Sequence, residues 1–134
     1  MRTAVVFTSK FGATRRAAEY IAKELNADIF DLKQGSPQLT DHDTVVFGSG
    51  IYMGGMPRSV RTFITCNTES LADKKVAVFV CCTHSGEKAE KQLVTATEYI
   101  KGIRTSAYLC SKNKGSSGFD NAAADAFIEA VRSI

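Results

Sequence analysis

The sequence has no long run of apolar residues. No stretch approaches the roughly 18 consecutive apolar residues that a membrane-spanning helix needs. The amino-terminal segment also lacks the apolar core of a secretory signal peptide. We therefore expect a protein that has no membrane span and resides in the cytoplasm.

Several metal, nucleotide and catalytic motifs are also missing. Cys66, Cys81, Cys82 and Cys110 show no C-x-x-C spacing, so neither a disulfide framework nor a zinc or iron–sulfur site is predicted. The chain has neither the G-x-x-x-x-G-K-S/T loop nor the G-x-G-x-x-G fingerprint of nucleotide-binding proteins. No set of residues has the pattern of a base, a nucleophile and an orienting partner, so no catalytic residue is predicted.

The composition is typical of one globular domain. The 134 residues are 44% hydrophobic and 23% charged, which suffices for a single buried core, and we expect one domain over residues 1–134. Apolar runs and helical spacing predict alternating strands and helices, which is typical of a parallel, doubly wound α/β sheet. The predicted strands are Thr3–Thr8, Ala27–Leu32, Thr44–Ser49, Lys75–Cys82 and Arg104–Ser111, and the predicted helices are Ala13–Asn26, Pro57–Cys66, Glu87–Gly102 and Asp120–Ile134. Residues 33–43 are predicted to form a loop or a single short turn.

The segment from Val5 to Ala18 runs from an apolar strand through a turn into a helix. Ser9 and Thr14 bring hydroxyl groups to the turn, and Gly12 lets the backbone turn tightly. The unpaired amides of the first helical turn point to the same place along a favourable dipole. This pattern predicts a phosphate site. The alternative is an ordinary turn in which Ser9 and Thr14 only cap the helix.

The same segment resembles the flavodoxin signature. An apolar pair, an aromatic residue, Ser9, Gly12, Thr14 and Ala18 follow one another at the spacing of that signature. The resemblance implies a flavodoxin-like three-layer α/β fold whose five-stranded parallel sheet has the order 2-1-3-4-5. It also implies FMN as the cofactor, bound where the loops after strands one, three and four converge.

Those three loops carry the predicted cofactor-binding residues. After strand three, Tyr52 or Met53 offers a face for the flavin ring, and either the 53–54 or the 54–55 peptide would turn its carbonyl towards flavin N5. The alternative is that residues 51–53 only close the end of the core. After strand four, His84 lies where many flavodoxins have a stacking tyrosine. The full predicted set is Thr8, Ser9, Lys10, Phe11, Gly12, Ala13, Thr14, Ser49, Gly50, Ile51, Tyr52, Met53, Gly54, Thr83, His84, Ser85 and Gly86.

The chain is basic, with 17 Lys and Arg against 14 Asp and Glu and a formal net charge of +3. Electron-carrier flavodoxins are typically acidic, so this balance departs from the family pattern. Positive charge near the flavin would stabilise its anionic reduced form. The basic residues predicted to lie in or just beyond the cofactor loops are Lys10, Arg15, Arg16, Arg58 and Arg61. The alternative is that Arg15, Arg16 and Arg61 are solvated helix residues.

Residues 48–64 also resemble the menaquinone-dependent protoporphyrinogen dehydrogenases, an enzymatic branch of flavodoxin-like proteins. The leading prediction is an electron-transfer protein that shuttles electrons between redox partners, with FMN supplying the chemistry. The alternative is an FMN-dependent oxidoreductase that acts directly on a small anionic or aromatic substrate, like that branch or a quinone reductase. A flavin-free descendant stays open, whereas a receiver domain would need acidic residues after strand one. We expect no nucleic-acid partner, and a monomer or weak dimer.

Overall fold

The computed structural model of this chain describes residues 2–9, 12–50, 57–82, 86–98, 100, 102–110 and 119–134. Within these ranges it has five strands, five helices and one short 3₁₀ turn, Leu32–Gln34, which follows the second strand. The strands are β1 (Thr3–Phe7), β2 (Asp28–Asp31), β3 (Thr44–Gly50), β4 (Lys75–Cys82) and β5 (Ile103–Cys110). The helices are α1 (Ala13–Leu25), α2 (Arg58–Cys66), α3 (Thr68–Ala72), α4 (Gly86–Thr97) and α5 (Asn121–Ser133).

The strands form one parallel sheet of order β2-β1-β3-β4-β5. At its centre Val5 of β1 is opposite Val46 of β3, and Val46 is opposite Ala77 of β4. Every residue of β3 is buried, as expected for a central parallel strand covered on both faces. The predicted flavodoxin-like fold and strand order are confirmed. The carboxyl ends of β1 and β3 therefore lie side by side.

Each face of the sheet has its own hydrophobic core. The helical spacing noted in the sequence places Ile21 of α1 and Phe127 of α5 on one face, and Phe63 of α2 on the other. Successive strand residues alternate between the faces, so Val5 and Phe7 contact the first core while Val6 contacts the second. This arrangement produces the three layers of helix, sheet and helix.

Gly48 gives Phe79 the space that its ring needs. The two residues are paired across β3 and β4. A Cβ atom on Gly48 would lie 2.2 Å from Phe79 Cζ and 2.5 Å from Cε1, closer than real Cβ contacts. The Phe79 ring is fully buried and packs against Phe127 at 5.9 Å between ring centroids. The glycine before the end of β3 is therefore required by core packing.

The region after α2 differs from the prediction. The predicted helix from Pro57 begins one residue later, because Pro57 has an extended ψ of 151° and precedes the helix. The chain then forms α3, which the sequence analysis did not predict. Asn67 ends α2, since its side-chain amide donates to the Phe63 carbonyl at 2.8 Å. Leu71, the buried residue of α3, then contacts the second core.

The helix before β5 is shorter than predicted. It begins at Gly86 and ends at Thr97, whereas the prediction continued to Gly102. Thr97 Oγ1 donates to the Leu93 carbonyl at 2.7 Å, and the Ile100 amide donates to the Thr97 carbonyl at 2.9 Å. Gly102 has a φ of +76°, a value that favours glycine. It thus turns the chain into β5 rather than capping the helix.

A charged cluster lies at the amino end of β2, away from the carboxyl ends of the strands. His42 Nε2 donates to Asp28 Oδ2 at 2.8 Å, and Arg2 Nη2 donates to the same oxygen at 2.5 Å. His42 is buried, and Lys74 Nζ donates to its backbone carbonyl at 2.6 Å. The hydrogen bond from His42, followed by that from Arg2, lowers the pKa of Asp28 below its ordinary value of 3.8.

We expect Asp28→Asn to remove part of the acid dependence of stability. Because the pKa of Asp28 is lowered in the folded state, its ionised form stabilises the fold above pH 3.8, and this contribution is lost as the pH falls through the folded-state pKa. Urea unfolding over an acid pH series measures the effect. Asp73→Asn, at an exposed residue, is the matched control and should keep the wild-type pH slope. Equal slopes for both variants would contradict the prediction.

Candidate functional site

The end of β1 and the start of α1 form a buried polar turn. Thr8, Ser9 and Thr14 are 6%, 8% and 3% exposed, respectively. The Thr8 amide donates to the Gly48 carbonyl at 3.2 Å, which holds the end of β1 against β3. Ser9 Oγ accepts from the Gly12 amide at 3.0 Å and closes the turn. Hydroxyl groups predicted from the sequence are thus brought together at the carboxyl edge of the sheet.

The residue that precedes α1, Gly12, has no side chain to cap the amino terminus of the helix. Gly12 precedes the helix with a φ of +93°, a left-handed conformation that glycine adopts without strain. Within the described part of the chain, no side chain caps this terminus and the first turn contains no acidic residue. The amides of the first turn, including those of Ala13 and Thr14, are therefore available to an anion at the positive end of the helix dipole. Because Ser9 Oγ accepts from the amide of Gly12, the residue that precedes the helix, the alternative of an ordinary turn stays open.

Basic side chains reach the same turn by different routes. Arg16 Nη1 lies 3.2 Å from the position that a Cβ on Gly12 would occupy, so its guanidinium folds back over the turn. Arg15 instead pairs with Asp31, with 2.6 Å between Nη2 and Oδ2. Its guanidinium carbon also lies 5.4 Å from the centroid of the Phe7 ring. The positive charge of Arg15 is thereby compensated by a carboxylate, and the guanidinium of Arg16 lies beside Gly12.

Two residues that were not predicted from the sequence lie beside this turn: Asp31 at the end of β2 and Lys33 in the 3₁₀ turn after it. Lys33 Nζ donates to the backbone carbonyl of Ser9. Asp31 Oδ1 accepts from the Lys33 amide at 2.9 Å and fixes the turn that carries the lysine. The predicted strand order could have indicated these residues. It places β2 beside β1, and hence Asp31 and Lys33 beside the turn at Ser9. Both residues lie outside the loops after strands one, three and four.

The carboxyl end of β3 adds a further buried hydroxyl, that of Ser49. Ser49 is fully buried, and its Oγ has no hydrogen-bond partner within the described ranges. Such a group is costly in an apolar interior unless a ligand or water satisfies it. Gly50, the last residue of β3, is paired with Cys81 of β4. The Ser49 hydroxyl, one residue before the end of β3, thus has no hydrogen-bond partner among the residues that the structure describes.

Several predicted site residues lie outside the described residues. They are Lys10, Phe11, Ile51, Tyr52, Met53, Gly54, Thr83, His84 and Ser85. The predictions of ring stacking on Tyr52 or Met53, of a turning peptide at Gly54 and of a flavin contact by His84 thus stay predictions. Gly86 is described as the first residue of α4, which follows β4. Arg58 and Arg61 are exposed on α2, and neither forms an ion pair with another described residue.

These features fit a phosphate-bearing cofactor. Hydroxyl groups, open helix amides and basic side chains meet at one turn, and the first turn of the helix has no carboxylate to repel an anion. Among the residues with described positions, no group of three or more His, Cys, Asp or Glu is arranged to hold a metal ion. No helix in the part of the chain that the structure describes is long and apolar enough to cross a membrane.

Doubly wound parallel sheets bind their ligands beyond the carboxyl ends of the strands, where this polar turn lies. The chain belongs to the flavodoxin domain family, whose model matches residues 4–115. Membership in this family implies a flavin cofactor. The predicted family is therefore confirmed from a comparison that covers most of the chain.

Solved structures share the fold at low sequence identity. A flavodoxin, WrbA-like protein from Agrobacterium tumefaciens superposes with a TM-score of 0.74 at 18% identity, covering 98% of this chain and 96% of that one. Oxidised flavodoxin 1 from Bacillus cereus gives 0.70 at 19% identity, covering 100% and 99%. An uncharacterised protein from Methanocaldococcus jannaschii is 39% identical over 67 residues, 49% of this chain. The match spans only 43% of that relative's length.

Proposed function

We propose that this protein binds FMN and shuttles electrons between redox partners. The observation that carries the proposal is the open amino terminus of α1, beside the buried hydroxyl groups of Ser9 and Thr14. A phosphate monoester supplies the negative charge that such a site stabilises, whereas riboflavin has no phosphate. Family membership supports a flavin, and the phosphate site is the reason for preferring FMN.

FMN, when bound, accepts and releases electrons, and the protein positions it and adjusts its environment. Thr8, Ser9 and Thr14 would hold the phosphate through hydroxyl and amide donors, together with Gly12 and Ala13. The Ser49 hydroxyl, which has no partner among the residues with described positions, would offer a further hydrogen bond near the end of β3. Residues 51–54 and 83–86 carry the predicted contacts to the flavin ring. A single domain over residues 1–134, a cytoplasmic location and a monomer or weak dimer stay predictions.

A second candidate function rests on Arg58 and Arg61. Both are exposed at the start of α2, just after the loop that follows β3, and neither has an ion-pair partner in the described part of the chain. These charges favour a small anionic substrate, as expected for an FMN-dependent oxidoreductase resembling protoporphyrinogen dehydrogenases or quinone reductases. On this alternative, the protein itself reacts with the substrate instead of passing electrons to a protein partner.

Reconstitution and transient kinetics test the two functions. After incubation with FMN and removal of the unbound flavin, the protein should show a yellow flavin spectrum. A protein that is colourless after this treatment would contradict a flavin-binding function. The FMN-loaded, chemically reduced protein is then mixed anaerobically with cytochrome c or with an anionic quinone. Transfer to cytochrome c that is insensitive to Arg58→Gln and Arg61→Gln supports a carrier. Saturable quinone reduction that these variants weaken supports the oxidoreductase instead.

We also expect the second one-electron reduction of bound FMN to occur at a less negative potential than in acidic electron-carrier flavodoxins. Cations stabilise the extra negative charge of the reduced flavin, and a unit charge roughly 10 Å away contributes about 1.7 kcal/mol at an effective dielectric constant of 20. Anaerobic spectroelectrochemistry measures the potential. Arg58→Gln should shift it to a more negative value, whereas Lys91→Gln, an exposed residue paired with Glu87 on α4, serves as the control. A very low potential that Arg58→Gln leaves unchanged would show these arginines to be ordinary surface charges.

A further inference from the structure

Lys33 links the edge of the sheet to the proposed phosphate turn. It lies in the 3₁₀ turn after β2, and its side chain reaches the segment that follows β1, where Nζ donates to the Ser9 carbonyl. Ser9 is the residue whose hydroxyl closes the turn against the Gly12 amide. A positive charge from a separate element is therefore held at the backbone of the turn that precedes α1.

The Asp31 carboxylate fixes the position of Lys33. Its two carboxylate oxygens have different partners, since Oδ1 accepts from the Lys33 amide at 2.9 Å and Oδ2 accepts from Arg15 at 2.6 Å. The Asp31 side chain is only 7% exposed. Its negative charge is thus compensated by Arg15, while its other oxygen fixes the backbone that carries Lys33. The carboxylate positions the lysine without forming an ion pair with its ammonium group.

The Lys33 ammonium consequently keeps its positive charge uncompensated. No carboxylate lies within ion-pair distance of it among the described residues. An ammonium group has three N–H donors, of which the Ser9 carbonyl uses one. The other N–H groups of the ammonium and its charge are therefore available to an anion at the turn before α1. The amides of the first turn of α1 are available to an anion at the same place. The chemistry that satisfies both is a phosphate monoester dianion.

We propose that Lys33 is a specificity-determining residue that makes this site select a phosphorylated flavin over riboflavin. The inference rests on the proposed FMN function and adds to it a charged group from the β2 edge, outside the three loops that the family resemblance implies. Arg15 and Asp31 are positioning residues in this arrangement. The alternative is that Lys33 only braces the turn, in which case it would affect both flavins equally.

The test compares Lys33→Gln, Lys33→Arg and Lys23→Gln. Lys23 is exposed in the last turn of α1, so its variant removes the same charge far from the turn at Ser9. The dissociation constants of FMN and riboflavin are measured by calorimetry at low and high salt. We expect Lys33→Gln to weaken FMN binding about ten-fold or more at low salt, with a smaller effect at high salt and none on riboflavin. Lys33→Arg should retain most of the FMN affinity, and Lys23→Gln should behave as the wild type.

Inorganic phosphate provides a second, flavin-free arm. Phosphate should raise the unfolding temperature of the wild-type apoprotein, and Lys33→Gln should reduce this increase while Lys23→Gln should not. Equal weakening of FMN and riboflavin by Lys33→Gln would overturn the proposal, since it is the result expected of a brace. If the wild type binds neither flavin, the proposed function fails, and the phosphate arm alone decides the role of Lys33. Stabilisation by phosphate that does not depend on Lys33 would then overturn it.

Discussion

Gly48→Ala should be strongly destabilising. The new methyl group would lie 2.2 Å from Phe79 Cζ, and the ring has no free space because it is fully buried against Phe127. Overpacking of this kind costs about 1–3 kcal/mol and occasionally more. The severity of the clash places the expected loss at the upper end of that range, to be measured as the change in the free energy of unfolding by urea.

The same clash predicts strong coupling between the two positions. Shortening the ring with Phe79→Leu opens space for the new methyl group, so Gly48→Ala should cost much less in that background than in the wild type. The coupling energy follows from the free energies of unfolding of the wild type, the two single variants and the double variant, measured by urea unfolding monitored by circular dichroism. Additive losses would show that Gly48→Ala acts through something other than Phe79. Because the Gly48 carbonyl accepts from Thr8, we also expect the single variant to weaken flavin binding.

Thr14→Ala should weaken FMN binding without affecting riboflavin. Thr14 is the second residue of α1 and is only 3% exposed beside the open helix terminus. Loss of a hydrogen bond from its hydroxyl to a charged phosphate costs roughly 1.5–3 kcal/mol, or about a 10- to 150-fold increase in the FMN dissociation constant. Fluorescence titration of the apoprotein with each flavin measures both constants.

Thr14→Ser is the matched control, since it keeps the hydroxyl and loses only a methyl group. It should bind FMN nearly as tightly as the wild type. A loss that is the same for FMN and riboflavin would place Thr14 in the fold rather than at the phosphate. We further expect Lys10→Ala to weaken FMN most at low salt, because a charge acts at longer range when it is less screened.

The fold was predictable from the sequence because local and global signals agree. The apolar runs that predict β1, β3 and β4 are also the most buried segments of the sheet, and helical spacing identified the packed faces of α1, α2 and α5. Periodicity did not predict α3, since five residues with one buried side chain give no repeating pattern. It also extended α4 to Gly102, whose positive φ begins the approach to β5 instead.

The site was predictable only where its residues follow one another along the chain. The sequence segment from Thr8 to Thr14 is such a case, because its hydroxyl groups and its glycine lie close enough along the chain to form a recognisable motif. Lys33 and Asp31 join the turn through strand order and side-chain reach, neither of which a local motif contains. The ion pair of Arg15 could not be predicted from the sequence either, because only the folded chain brings Asp31 close enough to compensate its charge.

The two borders of the sheet differ in how readily they could recruit another strand. β2 has only four residues, and an aspartate stands at each end of it. A short border strand with charged side chains discourages a second molecule from extending the sheet, because few backbone hydrogen bonds can form and the charged groups would lose water. β5, the opposite border, has eight residues. Protection against edge-to-edge aggregation is therefore built into the side of the molecule that carries Asp31 and Lys33, which leaves that side free for binding.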